Sequence, residues 1–78
     1  MPRSPVSAAT VEFGQRVVAR RKALRLSQEQ LAHASGLHWS TVSQIERGLY
    51  NTGLQNILKL AVGLQTDPGD LIRGMLPP

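Results

Sequence analysis

The sequence predicts an all-α domain built from five short helices. Apolar residues recur at helical spacing, no segment alternates apolar and polar residues as a strand would, and helix-capping residues separate the segments. The chain has 78 residues, enough for one small domain whose single core is only marginally stabilising. We expect this domain to span residues 10–76 and to follow a flexible arm at residues 1–9, which is poor in large apolar residues.

The first helix is predicted to begin at Thr10, as its N-cap, and to end near Leu24. Phe13, Val17 and Leu24 give this helix its buried stripe. Gly14 weakens a helix interior, so its presence indicates that another helix crosses closely at this point.

The second and third helices are predicted on either side of Gly36. Ser27 is a suitable N-cap with Gln30 as its capping-box partner, and Gly36 can adopt the left-handed conformation that ends a helix. In the third helix Val42 and Ile45 share a buried face. The other faces carry Trp39, Ser40, Ser43 and Gln44. We interpret His38 as a substitute N-cap of this helix.

Small and apolar residues around this bend have the spacing of a helix-turn-helix, a motif whose second helix enters the DNA major groove. The spaced positions are Leu31, Ala32, Gly36, Leu37, Val42 and Ile45. An ordinary helical hairpin within a bundle is the alternative interpretation. The basic charge of the chain favours the first interpretation.

The fourth and fifth helices follow a turn-rich loop. Helical spacing of Leu54, Ile57, Leu58, Ala61 and Leu64 predicts a fourth helix that is mostly buried. The fifth helix is predicted to start after Asp67, its N-cap, with Pro68 in its first turn, and to run to about Arg73 before Gly74 ends it.

The charge of the chain is typical of proteins that bind nucleic acids. Nine lysine and arginine residues against five aspartate and glutamate residues give a net charge of +4. Five of the basic residues crowd one stretch and predict a positive surface: Arg16, Arg20, Arg21, Lys22 and Arg25.

Several classes of protein are disfavoured by the sequence. It contains no cysteine, and His33 and His38 have no nearby acid pair or thiol at ligand spacing, so we expect no disulfide and no metal site. No catalytic motif is present, so we predict no enzyme, and nothing implies a cofactor or a small-molecule ligand. Without a membrane-length apolar run or a signal peptide, the expected location is the cytoplasm.

Between Phe13 and Leu71, about three quarters of the chain, the sequence resembles the phage repressor and Cro-like family of DNA-binding domains. The matching segments are FGQRVVARRKALRLSQEQLA, SGLHWSTVSQIERG and NILKLAVGL. IERG followed by a short loop and a further pair of helices is most similar to small single-domain members, including restriction-modification controller proteins. The resemblance implies a repressor-like fold in which Arg21 pairs with Glu46 and Gln28 contacts the DNA backbone. Many members have Ser or Thr where this chain has His38.

Base recognition requires side chains on the outward face of the third helix, and we predict Trp39, Ser40, Ser43 and Gln44 for this role. Gln44 can form paired hydrogen bonds to adenine. The Trp39 indole could lie against thymine methyl groups or sugars, fold back on its own turn, or meet another subunit. Predicted phosphate contacts are Gln28, Arg47, Asn51 and Arg16. Arg3 could also reach a phosphate or a minor groove, although an arm without a role is the simpler expectation.

The sequence therefore predicts a sequence-specific transcriptional regulator that binds double-stranded DNA. One recognition helix spans few base pairs, so we expect a homodimer on a two-fold operator with half-sites about 34 Å apart. The dimer contact is predicted on the last two helices, through Leu64, Leu71, Ile72 and Met75. The alternatives are an antitoxin or adaptor module whose main ligand is a protein, and an RNA-binding or nucleoid-coating protein.

Overall fold

A computed structural model describes residues 4–78, and the predicted Arg3 contact therefore lies outside the described residues. The helices are α1 (Ala8–Ala23), α2 (Gln28–Ser35), α3 (Trp39–Glu46), α4 (Leu54–Gly63) and α5 (Pro68–Ile72). No strand occurs between residues 4 and 78. The predicted all-α fold with five helices is confirmed.

Helix α1 begins earlier than predicted, because Ser7 rather than Thr10 is its N-cap. The Thr10 backbone N–H donates to Ser7 Oγ at 3.1 Å, and the Ser7 backbone N–H donates to Thr10 Oγ1 at 3.0 Å, which completes a capping box. Thr10 Oγ1 and the Val6 backbone N–H each also donate to the Gly48 carbonyl at 2.9 Å. The chain just before α1 is therefore tied to the end of α3, and residues 8 and 9 of the predicted arm belong to α1.

The other helix ends follow the predicted capping residues closely. Gly36 has φ 67° and ψ 32°, the left-handed conformation that ends α2. Asp67 Oδ1 accepts from the Gly69 backbone N–H at 2.7 Å, and Pro68 opens α5. His38 occupies the N-cap position of α3, but its side chain makes no capping hydrogen bond. The beginning of α3 therefore depends on packing and on the preceding turn rather than on a side-chain cap.

All five helices contribute to one hydrophobic core. Its buried members are Phe13, Val17, Leu31, Ala32, Val42, Ile45, Leu60, Ala61, Leu64 and Leu71. Each fully buried Leu, Ile or Val side chain stabilises the fold by about 1.5–3 kcal/mol relative to its exposed state. This core fixes α3 from one side only, through Val42 and Ile45.

Helix α4 is less buried than the sequence predicted. Leu60 and Ala61 lie in the core, but Leu54, Leu58 and Val62 have exposed fractions of 71%, 45% and 74%. These three residues stand four positions apart along the helix and form one outer stripe. The apolar spacing of α4 therefore combines two faces, of which only one packs against the other helices.

Two of the four predicted dimer contacts are core residues. Leu64 is 0% exposed and Leu71 is 2% exposed within a single subunit, so neither side chain has surface left for a partner. We correct this part of the prediction, since both leucines stabilise the subunit itself. Ile72 is exposed, and Met75 is partly buried against the core.

The close crossing predicted at Gly14 is confirmed. A Cβ atom at this position would lie 2.8 Å from the Glu46 carbonyl oxygen and closer still to that of Ile45. Only a residue without a side chain lets the backbones of α1 and α3 approach this far. The crossing places α1 directly against the last turn of α3.

We predict that Gly14→Ala destabilises the protein by about 1–3 kcal/mol, because the backbone of α3 would have to shift. Elsewhere in a helix interior the same change would stabilise by about 1 kcal/mol. The measurement is urea denaturation followed by circular dichroism. Gly53→Ala is the control, since its Cβ would meet no atom within 4 Å; we expect it to cost less than about 1 kcal/mol. A Gly14→Ala variant as stable as the wild type would refute the tight crossing.

Candidate nucleic-acid interface

Helix α3 presents its predicted base-contacting residues to solvent. Trp39 is 55% exposed, Ser40 is exposed, and Ser43 and Gln44 are partly exposed. The opposite face is buried through Val42 and Ile45. These four side chains therefore keep surface that a ligand can reach in the single chain.

The outward face of α3 has the dimensions and chemistry that a DNA groove requires. Ser43 and Gln44 each lie three or four residues from both Ser40 and Arg47, so the four side chains share one side of the helix. An α-helix with its side chains is about 10–12 Å across, which matches a major groove about 12 Å wide. Two hydroxyl groups and one amide can therefore meet base edges, with a positive charge at the C-terminal end of the helix.

A buried ion pair joins α1 to the end of α3. Arg21 Nε lies 2.6 Å from Glu46 Oε2, and Arg21 Nη2 lies 3.0 Å from Glu46 Oε1. The two side chains are only 13% and 4% exposed. The hydrogen bond and the negative charge of Glu46 raise the pKa of Arg21 above its ordinary value. Arg21 Nη1 also donates to the Leu26 carbonyl at 2.9 Å, so each of the three guanidinium nitrogens donates a hydrogen bond.

The ion pair continues into a chain of hydrogen bonds that reaches the other end of α3. Gln28 Nε2 donates to Glu46 Oε1 at 2.9 Å, and the Trp39 indole N–H donates to Gln28 Oε1 at 3.3 Å. We call Arg21, Glu46, Gln28 and Trp39 the four-residue network. It connects α1, α2 and both ends of α3. Sequence spacing gives no signal for the contact between Gln28 and Trp39, which the prediction therefore missed.

The basic stretch of α1 forms a smaller positive surface than predicted. Arg20 donates from Nε to the Leu64 carbonyl at 2.9 Å and from Nη2 to the Gln65 carbonyl at 3.0 Å. It therefore satisfies carbonyl groups at the C-terminal end of α4, a role that sequence reasoning missed. Of the stretch, Lys22 and Arg25 are the residues left exposed in the described structure.

The remaining predicted phosphate contacts lie at the surface, but their side chains differ in freedom. Arg16 Nη2 lies 2.6 Å from Glu12 Oε2, one turn earlier in α1. Exposed pairs of this kind contribute only about 0.3–0.5 kcal/mol, so a phosphate can replace the carboxylate at little cost. Arg47 and Asn51 are both exposed between α3 and α4. In Gln28, by contrast, both Nε2 and Oε1 already form hydrogen bonds within the four-residue network.

Two searches of the described residues bear on other kinds of site. Among residues 4–78, no helix has the length and apolar character needed to cross a membrane. Within the same range, no group of three His, Cys, Asp or Glu side chains is placed to hold a metal ion.

In this fold α3 follows α2 after a turn at Gly36 and faces outward, an arrangement that defines a helix-turn-helix protein. The helix-turn-helix family profile matches residues 17–71, and the chain belongs to this family. The chain is 43% identical over 61 residues to the control protein C.BamHI of Bacillus amyloliquefaciens. This alignment covers 77% of this chain and 75% of that protein. The resemblance predicted from the sequence is confirmed.

Solved structures agree with this assignment. The restriction-modification controller protein C.AhdI from Aeromonas hydrophila superposes with a TM-score of 0.82 and 51% identity, over 83% of this chain and 98% of that chain. The P22 c2 repressor in complex with a synthetic operator superposes with a TM-score of 0.73 and 35% identity, over 81% of this chain and 96% of that chain. Against repressor protein C2 of Salmonella phage P22, the match spans 30% of the length of that protein.

We predict that Glu46→Ala destabilises the protein by about 3 kcal/mol, because it leaves the largely buried Arg21 charge without its oppositely charged partner. Gln44→Ala removes a partly exposed side chain of the same helix and should change stability by less than about 0.5 kcal/mol. Thermal denaturation followed by circular dichroism measures both. If the two variants melt at the same temperature, the ion pair does not hold α3 as described.

Proposed function

We propose that this protein is a sequence-specific, DNA-binding regulator of transcription that acts as a homodimer, as a controller protein of a restriction-modification system. The observation that carries the proposal is the orientation of α3, whose outward face offers Ser40, Ser43 and Gln44 while its other face is fixed in the core. Relatives named as control and controller proteins support the particular type of regulator. The P22 c2 repressor, of the same fold, is known in complex with an operator.

Base recognition belongs to the outward face of α3 in this proposal. Gln44 offers a donor and an acceptor on one amide, which matches the N6 and N7 positions of adenine in the major groove. Ser40 and Ser43 can donate to or accept from any base edge. Trp39, at the N-terminal end of the helix, supplies the one large apolar surface of this face.

Phosphate contacts surround this face and set the register of the protein on DNA. Arg47 follows α3 directly, Asn51 lies in the next loop, and Arg16 can exchange its exposed glutamate for a phosphate. Gln28 lies in the first turn of α2, where the helix dipole favours an anion. Because its side-chain amide bonds to Glu46 and Trp39, we assign its phosphate contact to the backbone N–H.

A homodimer would place two copies of α3 on one operator. The outer stripe of α4, Leu54, Leu58 and Val62, is a regularly spaced apolar surface of the kind that a subunit interface covers. Of the dimer contacts predicted from the sequence, Ile72 is 46% exposed and Met75 is partly buried against the core. We therefore place the dimer contact on the outer stripe together with Ile72.

We further infer that the protein has no catalytic role and acts in the cytoplasm, where its DNA would be found. Membership of the helix-turn-helix family and the likeness to control and controller proteins support both inferences. A protein-binding adaptor with the same fold would leave the polar face of α3 without a ligand, and binding to DNA therefore distinguishes the two functions.

We predict that the protein selects a two-fold sequence from a random pool of duplex DNA and that this binding weakens steeply with salt. Gln44→Ala should cost about 5- to 150-fold on the selected sequence and little on competitor DNA, because it removes a base contact. Arg47→Ala should weaken both and reduce the salt slope by about one. Fluorescence anisotropy measures each affinity, and Lys59→Ala, which removes an exposed charge from α4, is the charge-matched control. Failure to enrich any sequence would refute the proposed function.

We predict that Val62→Lys weakens dimerisation at least tenfold, because a charge would have to be buried in the outer stripe. Val62 is 74% exposed in the single chain, so folding should be unaffected. Sedimentation equilibrium measures the dissociation constant. Gln15→Lys adds the same charge to an exposed polar position of α1 and serves as the control. A wild-type chain that stays monomeric at high micromolar concentration would rule out a dimer in the absence of DNA.

A further inference from the structure

We propose that Trp39 recognises the 5-methyl group of a thymine and that Gln28 is the residue that positions its indole ring. This inference rests on the proposed function, since it names a base feature that the same α3 surface recognises. It follows from the four-residue network and from the exposure of the ring.

The hydrogen bond to Gln28 leaves the indole ring with only apolar surface to offer. Trp39 donates its indole N–H to Gln28 Oε1 at 3.3 Å, and tryptophan has no other polar group on its side chain. Yet the residue remains 55% exposed. A ligand that covers the indole ring therefore meets carbon atoms and the π-face of the ring.

Among the base edges in the major groove, the thymine methyl group is the apolar feature. The polar groups that distinguish the other base edges are donors or acceptors, which an apolar ring cannot pair with and which lose water on contact with it. Trp39 is the first residue of α3, at the end of the recognition helix that approaches base edges in helix-turn-helix proteins. The ring is therefore suited to a thymine near one end of each half-site.

The direction of the ring is fixed from α1 through the network. Glu46 is 4% exposed and ion-paired with Arg21, and a carboxylate in an ion pair can only accept hydrogen bonds. The Gln28 amide must therefore turn Nε2 towards Glu46, at 2.9 Å, which leaves Oε1 as the acceptor for the indole. Gln28 thus acts as a positioning residue for Trp39.

The experiment uses the full chain and the duplex selected from the random pool. Each thymine of a half-site is replaced in turn by deoxyuridine, which removes only the methyl group, and affinities are measured by anisotropy. We expect one position at which the wild type binds deoxyuridine about three- to tenfold more weakly, the worth of one apolar contact. Trp39→Ala should bind both duplexes equally. Ser43→Ala, the control from the same face of α3, should show the same ratio of affinities for the two duplexes as the wild type.

The role of Gln28 is tested by the ratio of the affinities for the thymine duplex and the deoxyuridine duplex. This ratio is measured within each variant, so a uniform loss of affinity does not change it. Gln28→Ala keeps the indole but removes its acceptor, so we expect the thymine preference to fall. Trp39→Phe keeps an apolar ring without the N–H, and in this background Gln28→Ala should change the ratio no further. An equal effect of Gln28→Ala in both backgrounds would show that Gln28 does not act through the indole.

Trp39 is the single tryptophan of the chain, so its fluorescence reports on the contact directly. We expect its emission in the complex to differ between the thymine duplex and the deoxyuridine duplex at the sensitive position. Specific binding without a sensitive thymine would overturn this inference and leave the proposed function intact, as would a Trp39→Ala variant that keeps the full preference. Contact with backbone sugars or with a second subunit would give these same results. Binding without any sequence preference would overturn both proposals.

Discussion

The buried carboxylate of Glu46 is the constraint on which the position of α3 depends. With only 4% of its side chain exposed, it must find its hydrogen-bond donors within the protein, and it takes them from Arg21 of α1 and Gln28 of α2. Any rotation of α3 would leave a buried charge unpaired, which is costly even though such a pair adds little net stability. The pair therefore determines orientation, and orientation is what a recognition helix needs.

Glycines allow the helices to come close enough for this arrangement. At Gly14 the backbone of α1 touches the last turn of α3, next to Glu46. At Gly63 the backbone of α4 lies against α2, where a Cβ atom would meet the Leu31 side chain at 3.1 Å. In a chain this small, tight crossings compensate for the limited volume of the core. These crossings pack α4 against α2 and α1 against α3 on their inner faces, and they leave the outward face of α3 to solvent.

The surface of the domain is divided between different tasks. Its basic composition is partly architectural, because Arg20 caps α4 and Arg21 neutralises Glu46, while other cations remain exposed. Polar side chains on α3 suit base edges, and the apolar outer stripe on α4 suits a second subunit. Under the proposed function, DNA recognition and dimer formation thus use separate helices, joined through the common core.

Local patterns in the sequence determined the number of helices, most of their ends and the turn at Gly36, because caps and left-handed glycines act within a few residues. The start of α1 was misplaced since Ser7 and Thr10 are both capping types, and they form one box. Only the tertiary structure decided that Leu54 faces outward while Leu64 is buried, and that the Trp39 indole meets Gln28. These outcomes depend on contacts between residues far apart in the chain. A periodic pattern identifies an apolar face of a helix, but it does not identify the element that packs against that face.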